Sequence, residues 1–400
     1  MPCDNIVCYY VPAYGNIGPE DLDPSLCTHL NYAFVRLDEK GNLYFGNEYL
    51  DITKGYYERT VALKERNPKL KVLLSVGDTD AAVFSKVAAS HVTRRVLVNS
   101  TVDWLTRYSF DGLDVHWEKP APDDAENFVN LLRDLREAFD SRGWLLSAAV
   151  YPNPSPGYDV VKISKFLHMI NLMCYDFYGP WSSTTGQNSP LFASTLDTPY
   201  QRDNLNIAAA LSQWLNAGAP KDKVNVGVPF YGRLFTLASP YAGVPFYRRL
   251  FTFISPIQHF LHAPIDQTKT SSLSYLEICK KYKNWTTAWD NEQKNHYKYT
   301  STQWLGYDDE ESIRYKARYV ASQGVAGMMI WQISQDDVEG KCTRKQNLLK
   351  VINEELRERY VDPSTVYRSN IWARHPEITS QIIAFIIFLV LFMLLLNWDD

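Results

Sequence analysis

The residues best placed to do chemistry lie in one short run, Phe110-Asp111-Gly112-Leu113-Asp114-Val115-His116-Trp117-Glu118. Read as a β-strand, side-chain alternation sends Asp114, His116 and Glu118 to one face and Leu113, Val115 and Trp117 to the other. Two carboxyl groups and an imidazole crowded on a buried face shift one another's protonation, which is the condition for acid–base work near neutral pH. Glu118 is the natural proton donor, because barrel enzymes do their chemistry at the C-terminal ends of strands. The competing reading, a surface strand with a polar face, conflicts with the apolar strands around it.

A face of this kind has to be positioned by a larger scaffold. Short β-branched or aromatic runs alternate with helical patterns along most of the chain, the signature of βα units around a parallel sheet. The candidate strands are Ile6–Tyr10, His29–Phe34, Lys71–Val76, Gly112–Trp117, Leu145–Val150, Met169–Tyr175, Val224–Pro229 and Gly327–Gln332. Eight of them predict a (β/α)8 TIM barrel, with Asp114, His116 and Glu118 on the fourth strand. Between them, Phe128, Leu131, Leu132, Leu135 and Phe139 recur at helical spacing after Pro122, with Asp123 as the expected N-cap. Ile207, Leu211, Trp214 and Leu215 repeat the pattern, as do Ile313, Ala317, Val320 and Ala321. The stretch from 237 to 304 is too long for a simple loop and reads as an insertion at the active-site end. Within this region, residues 228–236 recur nearly unchanged at 244–252, one local tandem duplication and too few copies for a repeat fold.

Composition narrows the function by exclusion. The 400 residues carry a net charge of −4 with both signs spread along the chain, which argues against a nucleic-acid partner. The 11 Trp and 26 Tyr suit sugar stacking as well as core packing. Six cysteines show neither a CxxC pair nor a histidine spacing that would hold zinc, so no metal and no cofactor are expected. Residues 1–360 are read as the folded domain, 361–377 as a stalk and 378–398 as an apolar segment long enough to cross a bilayer. That last segment reads either as a transmembrane helix or as a signal exchanged for a glycolipid anchor. A strand-like run directly after Asn5 shows no signal-peptide pattern. Either an upstream portion is absent from this sequence, with the domain held on the extracellular or lumenal side, or the chain is tail-anchored with reduced cysteines. Asn99-Ser100-Thr101 and Asn284-Trp285-Thr286 match the glycosylation sequon.

The Asp111–Glu118 run resembles the DGxDxDxE signature of the family 18 glycoside hydrolases, the chitinases and chitinase-like lectins. The likeness extends over most of the chain through Val7-Cys8-Tyr9-Tyr10, Leu30–Phe34, Met173-Cys174-Tyr175-Asp176, Asn188–Leu191, Tyr231-Gly232-Arg233, Trp304–Asp309 and Met329-Ile330-Trp331, in the family's order. It implies a small α+β insertion after the seventh strand and substrate-assisted hydrolysis. Glu118 would protonate the glycosidic oxygen while the sugar's own N-acetyl carbonyl attacks the anomeric carbon. Tyr175 and Asp176 would hold the N-acetyl group, Trp331 would floor the sugar site, and Phe34, Met173, Tyr231 and Arg233 would line the cleft. The resemblance also implies disulfides Cys8–Cys27 and Cys279–Cys342, with Cys3 and Cys174 left free. The expected partner is chitin or an N-acetylglucosamine oligosaccharide.

Three departures qualify that expectation. His116 stands where the family carries the aspartate that stabilises the cationic oxazolinium. A neutral imidazole supplies no negative charge there, and an imidazolium repels the intermediate, so loss of the stabiliser costs on the order of 100- to 1000-fold in rate. Asp78 and Thr79 stand where a second glycine and a tryptophan are expected, which alters a turn and removes a sugar platform. The duplicated segment falls within the insertion. The expected function is therefore a chitinase-like sugar-binding protein with impaired catalysis. The alternatives are a slow endochitinase and a signalling protein that has lost sugar binding.

Overall fold

The computed structural model describes residues 3–12, 17–154, 156–238 and 261–358. The second copy at 244–252, the stalk and the apolar run 378–398 lie outside the described residues. Among the described residues no helix is long and apolar enough to cross a membrane.

The first half of the chain supplies β1 (Asn5–Tyr10), β2 (His29–Leu37), β3 (Leu43–Phe45), β4 (Lys71–Val76), β5 (Gly112–His116), β6 (Leu145–Val150) and β7 (Met169–Leu172). The second half adds β8 (Val224–Pro229), β9 (Tyr231–Leu237), β10 (Ile265–Ser274), β11 (Thr286–Asp290), β12 (Asn295–Tyr299), β13 (Gln303–Tyr307) and β14 (Gly327–Trp331). Strands β1, β2, β4, β5, β6, β7, β8 and β14 pair in parallel, and the β1–β2 pairing closes them into an eight-stranded barrel. The short β3 adds antiparallel to β2.

Alternation sorts each strand between two cores. Ile6, Cys8, Tyr10, Leu113, Val115 and Trp117 face outward onto the surrounding helices, where Trp117 stacks on Phe84 at 5.4 Å. Val7, Tyr9, Ala33, Leu73, Ala149 and Met329 point into the barrel, so the predicted two-faced reading of the fourth strand holds. Gly112 has a local steric reason: a Cβ there would lie 2.1 Å from the Leu145 carbonyl oxygen on the adjacent strand. Asp111 works at the opposite end from the chemistry. Its carboxylate accepts from the Val72 amide at 2.8 Å and pairs with Lys64 at 3.1 Å.

Two element ends differ from the sequence reading. The sixth barrel strand stops at Leu172 rather than Tyr175, because the Cys174 and Tyr175 amides turn back onto the carbonyls two residues before them. The helix Ala125–Asp140 starts from Asp124 instead of Asp123, since Asp124 closes a preceding 3-10 turn by accepting from the Ala121 amide at 3.0 Å.

Between β8 and β14 the chain builds an extra α+β unit. Its five-stranded antiparallel sheet has the order β10-β9-β13-β12-β11, accompanied by the helix Tyr275–Lys281. Cys8 is bonded to Cys27, and Cys279 to Cys342. Cys3 and Cys174 are free and buried, and burial pushes both thiols up to about 12, which makes them inert packing groups.

Candidate functional site

Asp114 sits wholly inside the barrel. Tyr9 and Ser75 hydroxyls donate to its Oδ2, each at 2.7 Å, and Ser147 donates to its Oδ1 at 2.6 Å. The Asn171 amide reaches the same Oδ1 at 3.5 Å and in turn accepts from Asn225 at 2.9 Å. Five strands thus converge on one carboxylate, and its donors are all neutral. Burial, followed by the Asp114 charge, holds the Tyr9 hydroxyl far above the usual phenol range, so it stays a donor.

Two residues further along β5, His116 is buried among aromatic rings. Its ring centroid lies 5.0 Å from that of Phe34, 5.7 Å from Trp331 and 6.1 Å from Tyr9. Gly77 leaves room for this packing, since a Cβ there would come within 2.7 Å of Phe34 and 3.0 Å of the His116 Cβ. His116 Nδ1 stands 3.8 Å from Glu118 Oε1.

Glu118 departs from the expected buried trio, with its side chain 67% exposed. The strand ends at His116, and Lys119 adopts a left-handed backbone with φ of 49°, which lifts Glu118 to the rim. There it borders a cleft of about 360 Å³ together with His116, Met173, Tyr175, Asp176 and Trp331. That volume is in the range of small-ligand sites.

Asp176 forms the opposite side from an unusual backbone position, φ 58°, with its amide donating to Asn188 Oδ1 at 3.1 Å. Its Oδ1 accepts from the Tyr231 hydroxyl at 2.6 Å, from Arg233 Nε at 3.1 Å and from Arg233 Nη2. Burial opposes the Arg233 charge, but Asp176 and Tyr231 hold its pKa above the usual guanidinium value. Tyr175 remains a protonated donor, because burial first and Asp176 second raise its hydroxyl far above the usual range. It donates to the Met329 sulfur, 3.8 Å away, a weak acceptor that a ligand oxygen can replace.

Phe34, Tyr231 and Arg233 support the wall residues: Phe34 packs against His116, and the other two fix Asp176. Sequence reasoning missed Lys119, Tyr151, Pro152 and Trp181, which complete the wall. Trp181 is an exposed aromatic whose ring lies 5.3 Å from the Arg233 guanidinium, and Lys119 Nζ sits 4.1 Å above the Tyr151 ring. These residues come from loops, where no periodicity marks them. At the turn, Asp78 takes a left-handed φ of 48° and pairs with Arg36. Thr79 turns away, donating to the Gly77 carbonyl at 3.0 Å and accepting from the Leu37 amide at 3.2 Å.

A closed parallel barrel whose C-terminal rim carries a carboxyl group among aromatic rings defines a TIM-barrel protein with a cleft sized for a small ligand. Comparison with known proteins narrows this class. Residues 5–336 match the glycosyl hydrolases family 18, and the chain belongs to that family. It is 33% identical to the endochitinase of Manduca sexta over 94% of this chain and 72% of that one. It is 34% identical to probable chitinase 10 of Drosophila melanogaster over 88% of this chain but only 16% of that longer relative. Among solved structures, the Ostrinia furnacalis group IV chitinase bound to allosamidin is 34% identical at a TM-score of 0.81, over 88% of this chain and 99% of that one. Human YKL-39, described as a pseudo-chitinase with retained chitooligosaccharide binding, is 30% identical at a TM-score of 0.78 with the same coverage.

Proposed function

We propose that the protein binds chitin or N-acetylglucosamine oligosaccharides in this cleft and hydrolyses them poorly or not at all. The observation that carries the reading is His116. The groups suited to hold an N-acetyl sugar are assembled, with Trp331 as the platform, Tyr175 as a donor and Asp176 clamped by Tyr231 and Arg233. The neighbour of the acid Glu118 is an imidazole 3.8 Å away. A positive oxazolinium formed beside it has no adjacent carboxylate, because Asp114 lies deeper with its oxygens committed to Tyr9, Ser75 and Ser147. His116 in its neutral form still has a nitrogen lone pair that accepts from the sugar amide, so binding outlasts catalysis.

The exposed Glu118 carboxyl supports a second reading, a slow endochitinase, since it stands free at the rim to meet a glycosidic oxygen. Titration calorimetry and product analysis of the purified protein with chitotetraose separate the two. Binding without product supports the sugar-binding reading. Turnover that Glu118→Gln abolishes replaces it with the enzyme. Absence of binding overturns both.

In the same reading, the apolar run 378–398 anchors the domain on the extracellular or lumenal side of a membrane. Release of the protein from washed membranes by salt or alkali alone would rule that anchor out.

A further inference from the structure

We propose that Asn284 carries an N-linked glycan and that this glycan covers an open edge of the insertion sheet. The sequon Asn284-Trp285-Thr286 occupies the turn between the helix Tyr275–Lys281 and β11. Trp285 faces inward: its amide donates to the Tyr282 carbonyl at 3.1 Å, its ring meets Tyr282 edge-on at 4.8 Å, and it packs against the cluster of Leu234, Ile278, Leu305 and Tyr307. Pinned by that ring, Asn284 and Thr286 on either side are both exposed.

The other sequon is built differently. Asn99 lies within the helix His91–Tyr108, and its Thr101 is fully buried, so that site is readable only before the helix forms. At Asn284 the acceptor amide and the threonine stay accessible in the folded protein. The Cys8–Cys27 and Cys279–Cys342 bonds belong to an oxidising compartment, which is also where this modification is made.

The transfer is balanced by a lipid-pyrophosphate-linked oligosaccharide. Asn284 Nδ2 attacks the anomeric carbon of that donor, a C–N bond forms as the bond from that carbon to the pyrophosphate oxygen breaks, and the amide proton leaves to a base. The lipid pyrophosphate is the leaving group.

The position gives the glycan a structural consequence. β11 pairs with β12 on one side, and among the described residues no strand pairs with its other side. Such an edge invites pairing with a second chain. A hydrophilic glycan rooted two and three residues before the exposed Thr286 and Thr287 blocks that approach.

The test is expression of the full chain behind a cleavable secretory leader in insect cells. Total leader-cleaved protein, retained or released, is then mapped by peptide mass after amidase treatment in heavy-oxygen water. The expected result is glycan-dependent conversion of Asn284 to aspartate, retained in Thr286→Ser and lost in Thr286→Ala and Asn284→Gln. Light scattering should show faster self-association of the two variants that lack the glycan. An unmodified Asn284 in leader-cleaved chains overturns the site. A modified Asn284 whose removal leaves self-association unchanged overturns its role at the edge.

Discussion

An imidazole beside Glu118 changes the charge that the cleft presents to a cationic sugar intermediate. His116→Asp restores a carboxylate at a position already enclosed by Tyr9, Phe34 and Trp331. It is expected to raise hydrolysis of chitotetraose by about 100- to 1000-fold, read by product chromatography, while Glu118→Gln in that background returns it to the starting level. No gain would mean that the exposed placement of Glu118 limits the reaction. Asp78 gives a residue-scale contrast. Asparagine and aspartate tolerate the left-handed backbone, and the Arg36 pair is exposed, so Asp78→Gly should alter stability by less than about 1 kcal/mol in urea unfolding. Asp78→Val, β-branched at a φ of 48°, should cost more than the glycine variant.

Strands carry the next level of organisation, and here Asp114 ties β5 to its neighbours. Asp114→Ala leaves the Tyr9, Ser75 and Ser147 hydroxyls buried without their acceptor, at an expected cost of about 3–5 kcal/mol by denaturant titration. The strands themselves were legible in the sequence, because β-branched runs bounded by helical patterns state where a parallel strand lies. The partners of Asp114 were not, since Ser75, Ser147 and Asn171 are small polar residues on three other strands that meet only when the barrel closes. Nor was the exposure of Glu118, which depends on the backbone turn at Lys119. Between the insertion and the barrel, His296 on β12 sits 2.7 Å from Asp309, the N-cap of the helix Glu310–Gln323. Burial lowers the His296 pKa, but Asp309 more than offsets that, so the folded value lies above the ordinary 6.5. A raised folded pKa gives stability that is fully present below 6.5 and is lost as pH rises through the folded value. The difference in urea midpoint between the native protein and His296→Gln should therefore shrink between about pH 5.5 and 8.5.

For the molecule as a whole, two covalent ties complement the cores. The Cys279–Cys342 bond closes 63 residues and joins the insertion to the segment after β14, while Cys8–Cys27 closes 19. Loop-closure entropy assigns them about 4 and about 3 kcal/mol. Reduction should lower the melting temperature, and Cys279→Ser should cost at least as much as Cys27→Ser in calorimetry. The clamp on Asp176 has a different bearing. Tyr231 and Arg233 belong to β9, which begins after a single residue, Phe230, beyond the end of β8. The grip on the cleft is therefore shared: it starts directly off the barrel's seventh strand and is braced on both sides by β10 and β13 of the insertion. Lineages, or protein engineers, can vary the chain between β10 and β13 only while those two strands still flank β9, because the hand that holds Asp176 is itself held from both sides.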